Sequence, residues 1–167
     1  MGVDIHMSIV KSSGEVAYRE IFEGRNSEWF GNLQGRGWDT EYDHLYTMSG
    51  VPEVLSDAKI AQDYEQANEI GYYGFYHITV GEFIDWAMRY QPWKQAGWFT
   101  TYDKWKIEHK GYIPEDPAHY LDPEDVIADM HFVEYENKYD CAKWLLNYCG
   151  QHEDIHRDDY IIYYFDC

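Results

Sequence analysis

Local signatures of enzymes and of secreted proteins are missing from this 167-residue sequence. It contains no Gly-rich phosphate loop, no Gly-x-Ser-x-Gly, no His-Glu-x-x-His and no Cys/His cluster at zinc-ligand spacing. The three cysteines are an odd number and form no Cys-x-x-Cys pair, which favours reduced thiols in a cytosol over a disulfide framework. These absences favour a binding protein over an enzyme, leave catalysis open and name no cofactor.

Long apolar runs are missing as well. No segment approaches the length of a transmembrane helix. Residues 1–14 carry charged side chains and no apolar stretch of the kind that a signal peptide needs. We therefore expect a soluble, cytoplasmic protein that makes no contact with membranes.

Basic residues are scarce. Lys and Arg total 13 against 31 Asp and Glu, so the formal net charge is −18 at pH 7. Proteins bind nucleic acids mainly through Lys and Arg, and this chain should be repelled by phosphate backbones. The natural macromolecular partner is a basic protein surface, although the charge would also serve solubility alone.

Aromatic residues, in contrast, are plentiful. They make up 19% of the chain, and hydrophobic residues as a whole make up 45%. A disordered chain has few aromatics, so this one is expected to fold around a core. Its length suits one domain, and no repeat or low-complexity linker divides it, so we predict a single domain over residues 1–167.

Four segments have the alternation or the β-branched and aromatic composition of strands. Residues 3–10 and 15–22 flank a turn and predict a hairpin, and residues 72–78 and 159–166 predict a middle and a final strand. Strands of this kind at both ends of the chain favour a small, mostly antiparallel sheet.

Helices are predicted where an apolar periodicity follows a capping residue. The predicted starts are Asn26 for residues 26–34, Ser56 for residues 56–70, the capping box Thr79–Glu82 for a helix that ends before Pro92, and Asp122 for a helical pattern up to Gly150 with a break near Glu136–Lys138. Residues 92–122 show no regular pattern. Together with the strands, these segments predict an α+β fold with helices packed on one face of the sheet.

The opening Met1-Gly2-Val3-Asp4-Ile5-His6 resembles uncharacterised phage and prophage-associated proteins that begin with Met-Gly-Cys-Asp-Ile-His. Further similar stretches are Arg25-Asn26 with Phe30-Gly31-x-Leu33, Gly50-Val51-Pro52-Glu53, Ile78-Thr79-Val80-x-Glu82 and Tyr164-Phe165-Asp166. The chain departs from this family at three places: Val3 replaces a cysteine, Val10 replaces a glutamate, and Tyr73–Tyr76 replaces a His-rich stretch. The resemblance implies a phage origin and supplies no mechanism.

Asp4 and His6 form the first candidate site. Residues i and i+2 of a strand share a face, so the two side chains can ligate a metal or act together in acid–base chemistry. Two ligands are too few for a metal site, and His77 or Asp166 would have to join them. The alternative is a structural hydrogen bond between the histidine and the aspartate.

Two His-x-Ser/Thr patterns form the second candidate site. His6-Met7-Ser8-Ile9 and His77-Ile78-Thr79-Val80 resemble the motifs of two-histidine phosphoesterases. The resemblance implies that His6 and His77 act as base and acid on a phosphodiester, with Ser8 and Thr79 holding the phosphate. Thr79 has a competing role as a helix cap, and the acidic chain repels phosphates.

Two binding sets complete the candidates. Asp4, His6, Arg25 and Asn26 are candidate ligand-binding residues. An acidic interaction surface is predicted at Glu115, Asp116, Asp122, Glu124, Asp125, Asp129, Glu134 and Glu136. Carboxylates arrayed on a rigid surface can occupy a basic groove, although a solvated helix face would show the same pattern.

Two functional hypotheses follow. The first is an acidic phage accessory protein, located in the host cytoplasm, that inhibits a host defence system by occupying a basic protein surface or by sequestering a ligand. The second is a phosphodiesterase that degrades a small nucleotide signal through His6 and His77. The sequence leaves the oligomeric state open.

Overall fold

The computed structural model describes residues 4–25, 33, 45, 47–70, 74–111, 130–137 and 140–166. Contacts divide the chain into two compact units, Met1–Tyr90 with Leu145–Cys167 and Gln91–Trp144. Each unit is described by itself below, and the single domain over residues 1–167 stays a prediction.

The described strands and helices alternate irregularly along the chain. In chain order they are β1 (Asp4–Val10), β2 (Val16–Gly24), β3 (Met48–Ser49), α1 (Ala58–Ile70), β4 (Phe75–Thr79), α2 (Val80–Tyr90), β5 (Lys94–Thr100), α3 (Thr101–Lys110), β6 (Met130–Glu136), α4 (Cys141–Gln151) and β7 (Tyr160–Asp166). Similar shares of helix and strand, with antiparallel pairing, confirm the predicted α+β class.

The first unit is built on a five-stranded sheet of order β2-β1-β7-β4-β3, in which every pair is antiparallel. The last strand of the chain, β7, lies at its centre between β1 and β4. Its run Tyr-Ile-Ile-Tyr-Tyr-Phe is apolar on both sides, as expected for a strand covered on both faces. The pairing of β1 with β7 runs from Asp4 opposite Asp166 to Val10 opposite Tyr160.

Both faces of this sheet carry buried side chains. On one face, Val10, Phe75 and Ile162 form a cluster with Ile60 of α1. On the other face, Ile5, Met7, Ile9, Ile161 and Tyr163 are at most 1% exposed. The second face is therefore covered as well, which goes beyond the predicted packing of helices on one face.

Two helix starts test the predicted caps. The Thr79–Glu82 capping box is confirmed: the Glu82 N–H donates to Thr79 Oγ1 at 3.1 Å, and the Thr79 N–H donates to Glu82 Oε2 at 3.0 Å. The predicted cap at Ser56 is wrong. α1 begins at Ala58, and Asp57 caps it by accepting the Ile60 N–H at 2.9 Å, because its carboxylate reaches the free donors of the first turn.

The second unit corrects two sequence predictions. Residues 92–122 include the regular elements β5 and α3. The helical pattern predicted from Asp122, with a break near Glu136–Lys138, is wrong at Met130–Glu136, which form the strand β6 and pair with β5. In β6, the exposed side chains of Phe132 and Glu134 flank the buried Val133, as expected for side chains that alternate between the two faces of a strand. α4 begins at Cys141, where the buried Asp140 carboxylate accepts the Ala142 N–H at 2.9 Å.

The described thiols and helices add two observations. Cys149 is a buried free cysteine, and burial raises the pKa of its thiol to about 11. Among the described helices, none has the length and apolar character that crossing a membrane requires.

Candidate functional site

His6 occupies a nearly closed position on β1. The residue is 9% exposed, and the ring of Tyr164 on β7 stacks on its imidazole with centroids 4.5 Å apart and planes 5° apart. The stacking follows from the register, since His6 lies directly opposite Tyr164. The imidazole therefore has a fixed orientation.

Asp4, the predicted partner of His6, is engaged elsewhere. Arg25 Nε donates to Asp4 Oδ1 at 2.7 Å, and both side chains are largely exposed. The structure thus brings together Asp4 and Arg25 of the predicted ligand set, whereas Asn26 lies outside the described residues. Asp4 and His6 share a strand face, but the carboxylate of Asp4 is held by arginine.

Three other carboxylates surround His6. Glu20 Oε1 lies 4.0 Å from Nδ1, and Asp166 Oδ2 lies 4.0 Å from Nε2. Glu23 is directly opposite His6 on β2. Ligand atoms of His6, Glu20 and Glu23 all lie within 4.8 Å of one another, a spacing from which they could hold a metal ion. Among Glu20, Glu23 and Asp166, the sequence analysis proposed only Asp166 as a neighbour of His6.

An irregularity of β2 explains why two glutamates converge on one histidine. The pair Val10–Val16, continued as a regular hairpin, would put Glu20 opposite His6. The register instead shifts twice, so that Glu23 is opposite His6 while Glu20 stays nearby. Hairpin register alone would have found Glu20; the shift that adds Glu23 leaves no simple signal in the sequence.

Glu20 itself has an unusual backbone. Its φ is 45°, in the left-handed region, and its N–H donates to Ser8 Oγ at 2.9 Å. A non-glycine residue in this region costs roughly 1–2 kcal/mol. The Ser8 hydroxyl therefore stabilises the backbone of the bulge, which is a structural use of a residue predicted to hold phosphate.

His77 lies on the same sheet face but apart from His6. β7 separates β4 from β1, and His77 is opposite Ile162 whereas His6 is opposite Tyr164. His77 is 8% exposed, and its Nδ1 lies 2.8 Å from the Gly50 carbonyl oxygen, to which it donates. The structure does not bring the two histidines of the predicted phosphodiesterase together.

The electrostatic field around His6 is negative. Burial, together with the neighbouring carboxylates of Glu20, Asp63, Asp166 and Glu23, raises the pKa of Tyr164 to about 12. The arrangement favours a cation over an anion at this end of the sheet.

The predicted acidic surface is only partly described. Glu134 and Glu136 are exposed on β6, and Glu136 forms an ion pair with Lys143. The others, Glu115, Asp116, Asp122, Glu124, Asp125 and Asp129, lie outside the described residues.

A small-molecule groove is present elsewhere on the first unit. It has a volume of about 430 Å³ and is lined by Glu15, Val16, Ala17, Arg19, Ser56, Asp57 and Ala58. Its arginine is paired with Asp57 at 2.7 Å. The groove therefore contains neither Arg25 nor the aromatic side chains expected of a ligand pocket.

Comparison with protein-family models, curated proteins and solved structures gives no match for this chain. Functional proposals for it rest on its own residues.

Proposed function

We propose that this protein is a phage accessory protein that inhibits a host defence system by occupying a basic surface of a host protein. The charge balance carries the proposal. If every one of the 13 Lys and Arg paired with a carboxylate, 31 − 13 = 18 carboxylates would still lack a basic partner. These carboxylates repel one another, and a cationic partner surface would reduce that repulsion. The same negative charge would attract such a partner towards the chain.

The His6 end of the sheet is the part of the described surface best suited to such a partner. We define the acidic patch as Asp4, Glu20, Glu23, Asp63 and Asp166. Of these, only Asp4 has an ion pair with Lys or Arg among the described residues. The Asp166 side chain is 66% exposed and that of Glu20 is 42% exposed, so both are accessible to a docking protein.

The two other readings receive less support. A small nucleotide would bring phosphates towards a patch of carboxylates, which repels them. The phosphodiesterase alternative needs His6 and His77 on one phosphodiester, but β7 lies between their strands. In addition, the hydroxyl groups of Ser8 and Thr79, which this alternative needs for the phosphate, accept hydrogen bonds from backbone N–H groups.

The test begins with phage infection of bacteria that carry a defence system. Expression of the wild-type chain should restore infection. A patch variant, Glu20→Gln with Glu23→Gln and Asp166→Asn, should restore it poorly. The matched control removes three exposed carboxylates outside the patch, Glu53→Gln with Glu65→Gln and Glu69→Gln, and should behave like the wild type.

Binding to the captured host protein then checks the mechanism. We expect Kd to rise at least tenfold for the patch variant and to rise steeply with salt, because the Debye length falls from about 10 Å at 0.1 M to about 3 Å at 1 M. The proposal would be contradicted if Kd changed neither with salt nor in the patch variant. It would also be contradicted if the wild-type chain did not restore infection.

A further inference from the structure

His6 has a buried nitrogen that no hydrogen bond satisfies. Among the buried side-chain nitrogen and oxygen atoms of the described residues, only His6 Nδ1 lacks a partner. Leaving a buried polar atom unpaired costs roughly 1–3 kcal/mol, so such an atom in a folded protein needs an explanation.

The carboxylate of Glu20 lies near this nitrogen but offers it no donor. Glu20 Oε1, 4.0 Å away, belongs to a carboxylate, which only accepts hydrogen bonds when ionised. A cation placed between the imidazole and the carboxylates satisfies both at once. The His6 lone pair and the charges of Glu20 and Glu23 would then all be used.

The distances suit a metal ion after a small movement. Ligand atoms of His6, Glu20 and Glu23 lie within 4.8 Å of one another. Two ligands at about 2.1 Å from one tetrahedral ion are about 3.4 Å apart. Both glutamates are exposed and can close this difference by rotating side-chain bonds, whereas the stacked imidazole stays fixed.

Asp166 occupies the position of a supporting carboxylate. Its Oδ2 lies 4.0 Å from His6 Nε2, on the far side of the ring from Glu20. Metal-binding histidines commonly donate their second N–H to a carboxylate, which fixes the tautomer. With the proton on Nε2, on the side of Asp166, the lone pair belongs to Nδ1, which lies 4.0 Å from Glu20 Oε1.

We propose that His6 Nδ1, Glu20 and Glu23 bind a divalent transition-metal ion, with Asp166 as the carboxylate that orients His6. One imidazole with two carboxylates suits Zn²⁺ better than Ca²⁺ or Mg²⁺, which prefer oxygen ligands alone. Three protein ligands leave a coordination position for water or for a group from another molecule. The site shares Glu20, Glu23 and Asp166 with the acidic patch, but the unpartnered His6 Nδ1 on which it rests is an observation separate from the docking function.

Titration of purified, chelator-treated protein with Zn²⁺ tests the site. We expect one ion per chain with Kd in the micromolar range or below. Glu20→Gln and Glu23→Gln should each weaken binding at least tenfold. The control Asp4→Asn removes the same charge from the same patch but leaves the ligands in place, and should change Kd by less than threefold.

Two spectroscopic readouts identify the ligand atoms. Zn²⁺ should shift the ¹⁵N resonance of His6 Nδ1 more than that of Nε2. Co²⁺ in place of Zn²⁺ should give a spectrum without a thiolate charge-transfer band. A perturbed Nε2, a different histidine or a thiolate band would overturn the assignment.

The remaining outcomes are equally decisive. If Zn²⁺ does not bind saturably, the site is overturned. It is also overturned if Asp4→Asn weakens Zn²⁺ binding as much as Glu20→Gln and Glu23→Gln do, because the patch would then attract ions only through its negative charge. Chelator separates this proposal from the docking function: it should abolish Zn²⁺ binding and leave the complex with a host protein intact.

Discussion

His6 and His77 have different surroundings on the sheet of the first unit. The two histidines share a face, are 9% and 8% exposed, and each precedes a hydroxyl residue by two positions. His77 Nδ1 donates to the Gly50 carbonyl, whereas His6 Nδ1 has no hydrogen-bond partner. The same local motif therefore includes a structural hydrogen bond at His77 and leaves the Nδ1 atom of His6 without one.

The two ends of β7 show the same contrast. Asp159, just before the strand, is 2% exposed and accepts hydrogen bonds from the Ser12 N–H, the His156 N–H and Lys11 Nζ. Asp166, the last residue of the strand, has a side chain that is 66% exposed and forms no ion pair with Lys or Arg among the described residues. A buried carboxylate must be satisfied by the protein, while an exposed one remains free to bind.

The largest effect is expected at this pair of aspartates. Asp159→Ala leaves three donors without their acceptor and should lower the free energy of unfolding by about 3 kcal/mol. Asp166→Ala should change it by less than about 0.5 kcal/mol, as surface substitutions usually do. Urea unfolding measures both. Equal losses of unfolding free energy in the two variants would contradict the distinction between a structural Asp159 and an exposed Asp166.

The two histidines should respond differently to an apolar residue of similar size. His77→Leu leaves the Gly50 carbonyl without its hydrogen-bond donor and should lower the free energy of unfolding by about 2 kcal/mol. His6→Leu removes the unpaired nitrogen but also the stacking on Tyr164, so without metal its effect should stay within about 1 kcal/mol. Denaturant midpoints compare the variants, and a larger loss for His6→Leu would be the contrary result.

The pH dependence of stability should report Asp159. Burial alone raises its pKa, but hydrogen bonds from His156, Ser12 and Lys11 outweigh burial, and the net pKa is lowered. A lowered folded pKa means that the carboxylate stabilises the fold at pH values above its unfolded pKa. That contribution is lost as the pH falls through the folded pKa.

We therefore expect the stability difference between the wild type and Asp159→Asn to shrink as the pH is lowered below about 4. Unfolding free energies measured across this range check the sign. A difference that grows in acid would mean that the folded pKa is raised.

The smallest effect concerns the backbone of Glu20. Glu20→Gly removes a side chain from a residue at φ 45°, a conformation that glycine adopts freely, and should stabilise the fold by about 0.5 kcal/mol after the entropy of the unfolded chain is counted. Gln91, also at φ 45°, provides the control. Gln91→Gly should stabilise the fold by a similar amount and leave the Zn²⁺ affinity unchanged. Glu20→Gly should abolish Zn²⁺ binding.

Much of the local structure was predictable because it depends on neighbouring residues. Alternation identified the hairpin, β-prone composition identified the last strand, and the Thr79–Glu82 spacing identified a cap. The strands β5 and β6 escaped because their segments mix aromatic and charged residues, and the pattern becomes a strand only once the two segments pair.

The site was predictable only in part for the same reason. Asp4 and His6 share a face because strand geometry requires it, so His6 could be selected from the sequence. Regular hairpin register would have placed Glu20 near His6, but Glu23 could not be assigned to the site, because two register shifts decide where it lies.

The sequence by itself determined the charge of the molecule, its α+β class and the caps and faces of its individual elements, because these follow from composition and from contacts a few residues apart. Only the tertiary structure decided the order of the strands. Placing β7 between β1 and β4 brings Asp166 to His6 from the other end of the chain and keeps His77 away. Pairing between residues so far apart depends on the burial of the whole sheet, which no local pattern encodes.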